Sequence, residues 1–451
     1  MTDDLLEVAT RAVDDARPGE QIEAYVLRTR ETDVEVFDGE VESLSVAGVE
    51  GIGIRVLAGG RLGYAWAGAL DGDVIRETLA EARDNAAFSQ PDEWAAFATL
   101  DDVAGTAPPA LDLWSDDLVA VGTDEKVRIA LEVEAATRAA DARIRGVEAA
   151  GYGDALLEHA VASSLGVTAF VRRTLCSAHA FAMAGDGDGT RTGYGVTAGR
   201  GLADLDLDAV PRDAALRACR LLGARKPPTR RLPVVFDPLV TQSLLGVLAA
   251  TLNGEAVIKG RSCFGERVGE QVAAPHVRLV DDPTDPRALG AGTHDAEGVP
   301  TRRNVLVDGG ALEGFLHNVY TGRRAGQPTT GSAVRAGLAS TPGVGARAIR
   351  FEPGEKTPEE ICASVPEALY VQSVSGLHSG TNPVSGDFSV GAEGLMVRGG
   401  ELADPVREVT IASTLQRMLL DVVEVGADLT FLPGSAAGVT LLVGEMTMSG
   451  S

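Results

Sequence analysis

Lysine is nearly missing from this chain: Lys126, Lys226, Lys259 and Lys356 are the only four among 451 residues. With arginine they give 40 cations against 65 Asp and Glu, a formal net charge of −25. Holding a nucleic-acid backbone requires clustered cations, and no positive stripe offsets the acidic balance, so a nucleic-acid partner is not expected. An arginine-rich, lysine-poor choice of this kind reflects genome composition or salt adaptation more than a ligand.

Cysteine is equally sparse. Cys176, Cys219, Cys263 and Cys362 lie far apart, with no CxxC and no zinc-ligand spacing, which reads as reduced thiols in a reducing compartment. No apolar run approaches the ~18 residues that a spanning helix needs. The start, Met1-Thr2-Asp3-Asp4, is acidic where an export signal is basic. A cytoplasmic protein with no membrane partner is the expectation. Among the six histidines (His159, His179, His276, His294, His317, His378) none lies within five residues of another. Local HExxH or HxH pairings are therefore excluded, and each histidine reads as a surface or hydrogen-bonded structural residue. There is no GxSxG elbow, no phosphate loop, and no GxGxxG opening a helix.

What the chain has in excess is glycine, 54 residues or about 12% against a usual ~7%. The glycines fall in short turn-like groups, so many hairpins are expected. Hydrophobic residues at 45% and charged residues at 23% are ordinary globular values, and the length suits two or three domains.

Periodicity places a helix over residues 3–16, where Leu5, Leu6, Val8, Ala9, Ala12 and Val13 recur at helical spacing. Alternation then predicts strands at Glu23–Leu27, Asp33–Val36, Gly51–Val56 and Leu62–Trp66. Asp38-Gly39 and Gly59-Gly60 punctuate them, being pairs that tolerate the positive φ of tight hairpin turns. Further helices are expected after a cap at Asp71, from Thr123 to about Ala142, from about Arg212 to Leu222, and from about Leu239 to Leu252. Thr357-Pro358-Glu359-Glu360 carries a capping box with proline at the first helical position. Gly185-Asp186-Gly187-Asp188-Gly189 has a calcium-loop texture, but Thr197 stands where the bidentate glutamate belongs, so a solvated hairpin tip is expected. The proline- and arginine-rich stretch 224–231 reads as a linker between an N-terminal α+β domain, 1–223, and a β-rich C-terminal domain, 232–451. The fold class is α+β.

A longer pattern carries the functional reading. Asn382-Pro383-Val384-Ser385-Gly386-Asp387-Phe388-Ser389-Val390-Gly391-Ala392-Glu393-Gly394 continues into Gly399-Gly400-Glu401 and Glu408-Val409-Thr410-Ile411-Ala412. It resembles the C-terminal signature of the TldD/PmbA family, historically labelled modulators of DNA gyrase, in its PmbA/TldE branch. Asp38–Glu42, Gly51–Val56, Lys259–Glu270, Asp295–Thr301 and Asn304–Gly310 match as well, so the resemblance spans nearly the whole chain.

In that family the TldD branch is a metalloprotease, with HExxxH on a buried helix and a cysteine near the C-terminus completing the site. Matched without gaps from Leu252-Asn253-Gly254, the motif falls on Leu245 to Ala250. Leu245 and Ala250 then occupy the histidine positions and Gly246 the glutamate position, while no cysteine follows Cys362. Zinc requires lone pairs, and this helix offers hydrocarbon. Leu239, Val240, Leu244, Leu245, Val247, Leu248 and Leu252 suggest a packing helix apolar all round.

The resemblance thus implies a chain with no metal and no catalytic residue of its own, inactive alone. It implies a non-catalytic subunit pairing with a zinc-bearing TldD-like metalloprotease to degrade unfolded peptides or process peptide precursors. An extended peptide could add to a sheet edge. Asn382, Gly386, Asp387, Phe388, Ser389 and Gly391 are the candidate interface or groove residues. The bland alternative is a turn shaped by Pro383, Gly386 and Gly391 and capped by Asp387. The alternative function is a self-associating, homodimeric peptide-binding or scaffold protein without protease activity. The gyrase label would imply a topoisomerase partner, for which the acidic balance gives no support.

Overall fold

A computed structural model describes residues 3–450. The first helix, α1 (Asp3–Asp14), buries Leu5, Ala9, Ala12 and Val13, the apolar stripe its sequence sets up. Two long strands follow, β1 (Glu20–Phe37) and β2 (Glu40–Ala58). The separate strands expected at 23–27 and 33–36 are one: the polar stretch Arg28–Glu31 hides the alternation, but it pairs with β2 without a break. Asp38 and Gly39 make the turn, at φ 52° and 81°. With β3 (Arg61–Ala67), β4 (Ile144–Ser163), β5 (Thr168–Ala184) and β6 (Arg191–Gly199), they form a six-stranded antiparallel sheet in the order β3-β2-β1-β4-β5-β6.

One face of this sheet is covered by helices. Ile22, Ala24, Val26, Ile52 and Ile54 pack against α1 and α2 (Gly72–Phe88). Val34, Tyr152, Cys176 and the alanines 178–184 pack against α3 (Thr123–Ala139) and α4 (Ala209–Cys219). Small side chains let α4 lie close: a Cβ on Gly193 of β6 would sit 2.2 Å from the Ala214 carbonyl oxygen. The opposite face, with Tyr25, Leu27 and Val161, meets Leu338 of the C-terminal half. Asp186 to Gly189 form the exposed β5–β6 hairpin tip, as expected.

The C-terminal half is built around β7 (Arg230–Phe236), β8 (Glu367–Ser375), β9 (Asp387–Arg398), β10 (Glu401–Thr414), β11 (Val422–Val425) and β12 (Leu441–Ser449), ordered β10-β9-β8-β7-β12-β11. Pairing of β10 with β12 through Thr410–Ala412 and Thr447–Ser449 closes five of these strands into a barrel. Only β7 and β8 run parallel. Val234, Phe236, Leu369 and Val371 point to the main core, shared with α5 (Pro238–Thr251). Val235, Ala368 and Tyr370 point the other way, toward α6 (Pro358–Ala363), whose Thr357–Glu360 capping box forms as expected. The architecture is α+β.

Residues 224–229 run between α4 and β7, while Arg230 and Arg231, expected in the linker, already pair in β7 with Met448 and Thr447. The Arg225 N–H donates to the Pro405 carbonyl at 3.2 Å, and Gly450 N–H donates to Thr229 Oγ1 at 3.0 Å. The two halves also share a buried ion network: Arg55 and Glu23 of the first sheet join Glu297 and Arg335. Among the described residues no helix is long and apolar enough to cross a membrane.

Candidate functional site

The helix α5 begins where Asp237 accepts the Leu239 N–H at 3.0 Å and Pro238 supplies a preset first turn. Asp237 is buried and also accepts from Arg217 Nη2 at 2.9 Å and from the Tyr370 hydroxyl at 2.7 Å. Burial, and next the Asp237 carboxylate, push the Tyr370 phenol well above its ordinary range. Arg220 lies over the Tyr370 ring and donates to Gln372, whose Nε2 donates to the Arg217 carbonyl at 2.9 Å. This cluster fixes α4 against the start of α5 and the end of β8.

Along α5 the expectation of burial all round is overturned. Val240, Leu244, Leu245 and Leu248 are buried in the main core, but Gly246 and Ala250 are exposed, and Gln242, Ser243 and Val247 are half-buried. A Cβ added at Gly246 would meet nothing within 4 Å. The helix therefore has one core face and one open face; small or apolar residues such as Gly246, Ala250 and Val247 disguise the open face in a hydrophobicity pattern. Leu245 and Ala250, five residues apart and so about 140° apart on a regular helix, fall on different sides of it.

Beside the first turns of α5 lies a cleft of about 260 Å³. Leu239, Val240 and Ser243 form one wall, Ser373, Val374 and Glu393 another, and Phe181 and Tyr194 a third. The two aromatic rings are tilted partners with centroids 4.6 Å apart, directly opposite each other on β5 and β6. Phe181 is 36% exposed, and burial together with Glu35 raises the Tyr194 phenol. The cleft lies between the N-terminal sheet and the barrel, and its lining mixes apolar side chains with hydroxyl, carboxylate and guanidinium groups. Of these residues only Glu393 lies in the candidate segment 382–394; Phe181 and Tyr194 carry no local motif, and only pairing in register brings them together.

The candidate segment enters the site from β9. Asn382 Oδ1 accepts the Val384 N–H at 2.9 Å, and Asp387 Oδ2 accepts the Ser385 hydroxyl at 2.6 Å. Gly386, at φ 83°, donates to the Asn382 carbonyl at 2.7 Å. Asn382 and Asp387 thus hold the turn that opens β9. Phe388 points into the core, whereas Ser389 and Gly391 share the opposite strand face with Glu393, which lines the cleft. The Cys263 N–H ties the turn down by donating to the Pro383 carbonyl at 2.8 Å.

Among the described residues, no group of three or more His, Cys, Asp or Glu is placed to hold a metal ion. The four cysteines are free, with Cys176, Cys219 and Cys362 buried and Cys263 half-buried. His276 and His378 are exposed, while His294 and His317 approach the hydroxyls of Thr293 and Thr321 at 3.1 and 3.2 Å. His179 stands 3.6 Å from Glu35. His159 departs from expectation: it is buried, and neither ring nitrogen has a hydrogen-bond partner.

Comparison with known proteins places this geometry. Family models described as the PmbA/TldA metallopeptidase domain 1, central domain and C-terminal domain match residues 22–86, 116–222 and 229–450. A relative from Escherichia coli named Metalloprotease PmbA is 28% identical over 429 residues, covering 95% of this chain and 92% of that protein. A solved structure from Thermotoga maritima, named as a candidate modulator of a DNA gyrase, superposes with a TM-score of 0.88 at 25% identity over 99% of both chains. The structure named TldE from Thermococcus kodakarensis superposes with a TM-score of 0.88 at 22% identity, again over 99% of both.

Proposed function

Since the chain belongs to the PmbA/TldD metallopeptidase family, we propose that it is that family's non-catalytic, TldE/PmbA-type subunit. Its partner is a TldD-like zinc metalloprotease, and the pair degrades unfolded peptides or processes peptide precursors in the cytoplasm. Residues 1–223 and 232–451 are its two domains, joined at 224–231.

One observation carries the reading. The positions matching the sister branch's metal motif, Leu245, Gly246 and Ala250, offer no lone pair, and the first points into the core while the other two face solvent. The site keeps what a substrate-binding wall needs without the metal. The Phe181–Tyr194 pair and the wall of Ser373, Val374 and Glu393 offer side-chain contacts to an extended peptide, while the β9 backbone itself is paired with β8 and β10. Asn382, Gly386 and Asp387 hold that strand's entry turn.

A second reading, self-association without a protease partner, is favoured by one feature. Before Ile52 the outer edge of β2 is unpaired, and Val41, Leu44, Val46 and Val49 are exposed there on both strand faces. Co-expression with a TldD-type sister, followed by metal analysis, light scattering and digestion of an unfolded peptide, separates the readings. A zinc-bearing heterodimer that cleaves, formed from a chain that alone does neither, is the expected result. Stoichiometric zinc and peptide cleavage by the chain alone would overturn it. A stable homodimer that ignores the sister would favour the second reading.

A further inference from the structure

The sheet face turned away from the helices carries a cation that the fold leaves unanswered. Arg173 of β5 and Arg347 line a cleft of about 660 Å³ between that sheet and the loops at Leu289–Gly290 and Pro433–Ser435. Among the described residues the Arg173 side chain has no hydrogen-bond or ion-pair partner, and its Nε is shielded from water without an acceptor. Arg347 donates Nε to the Gly290 carbonyl at 3.2 Å and Nη1 to the His294 carbonyl at 2.8 Å. Those neutral acceptors fix its plane and leave Nη2 uncommitted. Nearby Arg200 binds the carbonyls of Ala288 and Leu289 at 2.6 and 3.1 Å, and its Nε also lacks an acceptor. None of the three makes an ion pair.

Burial first, and then repulsion from Arg347 and Arg200, bring Arg173 down to about 10. Holding an unanswered cation beside two others in one partly buried place is costly, and an anionic ligand is what would offset the cost. The acids lining the same cleft do not fill that role. Asp154 is committed to Lys126 at 2.6 Å, and Glu31 and Asp33 are exposed at the mouth. Asp295 and Asp281 offset part of the charge on Arg347 and Asp204 part of that on Arg200, whereas no carboxylate acts on Arg173, so the unanswered charge of the cleft sits at Arg173. The volume of the cleft lies in the ordinary range for small-ligand sites.

We propose that this cleft is a carboxylate-binding site. Arg173 is the anchor and Arg347 the second donor, and the ligand enters carboxylate-first with a neutral or cationic outer end. Guanidinium groups present planar donor pairs that match a carboxylate's two oxygens, which a lysine would not. The carboxylate is that of a free small acid or of a peptide C-terminus. The proposal does not depend on the protease reading and needs no partner subunit.

Calorimetry on the full chain tests it with three probes: acetate, N-acetyl-trialanine as the free acid, and the same peptide as its C-terminal amide. The free acid is expected to bind at least tenfold more tightly than the amide. Acetate matching the peptide acid would assign a free acid as the source, and a tenfold preference for the peptide acid would assign a chain terminus. Arg173→Met should weaken acid binding at least tenfold while raising the melting temperature, because it removes an unanswered cation. A merely structural arginine would lower that temperature. Should the variant not fold, the arginine Nε–H resonances of the unaltered protein provide the second readout, shifting with the acid and not with the amide. Equal binding of acid and amide, no binding of acetate or the peptide acid at millimolar concentration, or undiminished binding by Arg173→Met would each overturn the proposal.

Discussion

Arg55 and Glu23 face each other across β2 and β1 as a two-pronged ion pair, Nε to Oε1 at 2.9 Å and Nη2 to Oε2 at 2.5 Å. Both are buried, and Arg55 also reaches Glu297 at 3.2 Å while Arg335 reaches Glu23 at 2.6 Å. Two guanidiniums face two carboxyl groups, and Arg55 and Arg335 lie over the rings of Phe97 and Tyr25. Removing one member leaves an unmatched buried charge. Arg55→Met should therefore cost about 3–5 kcal/mol, the range for breaking a buried pair from one side. Denaturant midpoints measure it, and a loss below about 1 kcal/mol would show that water reaches the network.

His159 sets a pH dependence. Burial first, and then the fields of Arg347 and Arg173, lower its imidazole to about 3, against 6.5 for an exposed ring. Between those two values the unfolded chain binds a proton that the folded chain does not, so stability rises with pH across that window. The contribution is complete above about 6.5 and is lost as pH falls, at up to about 1.4 kcal/mol per pH unit. His159→Phe keeps the ring that packs on Tyr25 at 5.4 Å and removes the titration. Its acid-unfolding profile should be flatter between pH 6 and 4 than that of the unaltered protein. Parallel profiles would mean that His159 is protonated in the fold.

Two glycine substitutions should act in opposite directions. A Cβ at Gly394 would lie 1.9 Å from the Tyr370 carbonyl oxygen, a backbone atom that cannot step aside without spreading β8 from β9. Gly394→Ala should cost about 1–3 kcal/mol. At Gly246 the space is open and the helix regular, so Gly246→Ala should stabilise by about 0.5–1 kcal/mol through helix propensity. Thermal unfolding of the two variants reads both signs, and a destabilised Gly246→Ala would show that the open face of α5 is covered in solution.

These positions show how far the sequence speaks. Hairpin turns were legible because Asp38-Gly39 and Gly59-Gly60 take positive φ, a property of the residues themselves. The capping box at Thr357 was legible for the same local reason. Barrel closure was not, since β10 and β12 are joined by pairing between distant segments that nothing in either strand announces. The cleft at Phe181 and Tyr194 depends on register, and the Glu23–Arg335 contact spans 312 positions. Arg173 is one arginine among many until its surroundings are known. Along α5, hydrophobicity misled because glycine and alanine serve equally on a core face and an open one.

That two-sidedness makes the last prediction. Restoring the sister branch's residues as Leu245→His, Gly246→Glu and Ala250→His should not restore a zinc site. Leu245 is fully buried among Leu244, Leu248 and the barrel core, whereas Ala250 is exposed, and a regular α5 holds the two positions about 140° apart. Zinc accepts tetrahedral ligands within about 2.1 Å, so two histidines at this spacing reach one ion only where the helix is locally distorted, and α5 is regular. Leu245→His alone should cost about 2–5 kcal/mol, as a buried leucine gives way to a polar ring without a partner. Metal analysis of the dialysed triple variant should find less than stoichiometric zinc. Tight stoichiometric zinc would require α5 to unwind locally, placing the difference between the two branches in the side chains alone and not in the helix that carries them.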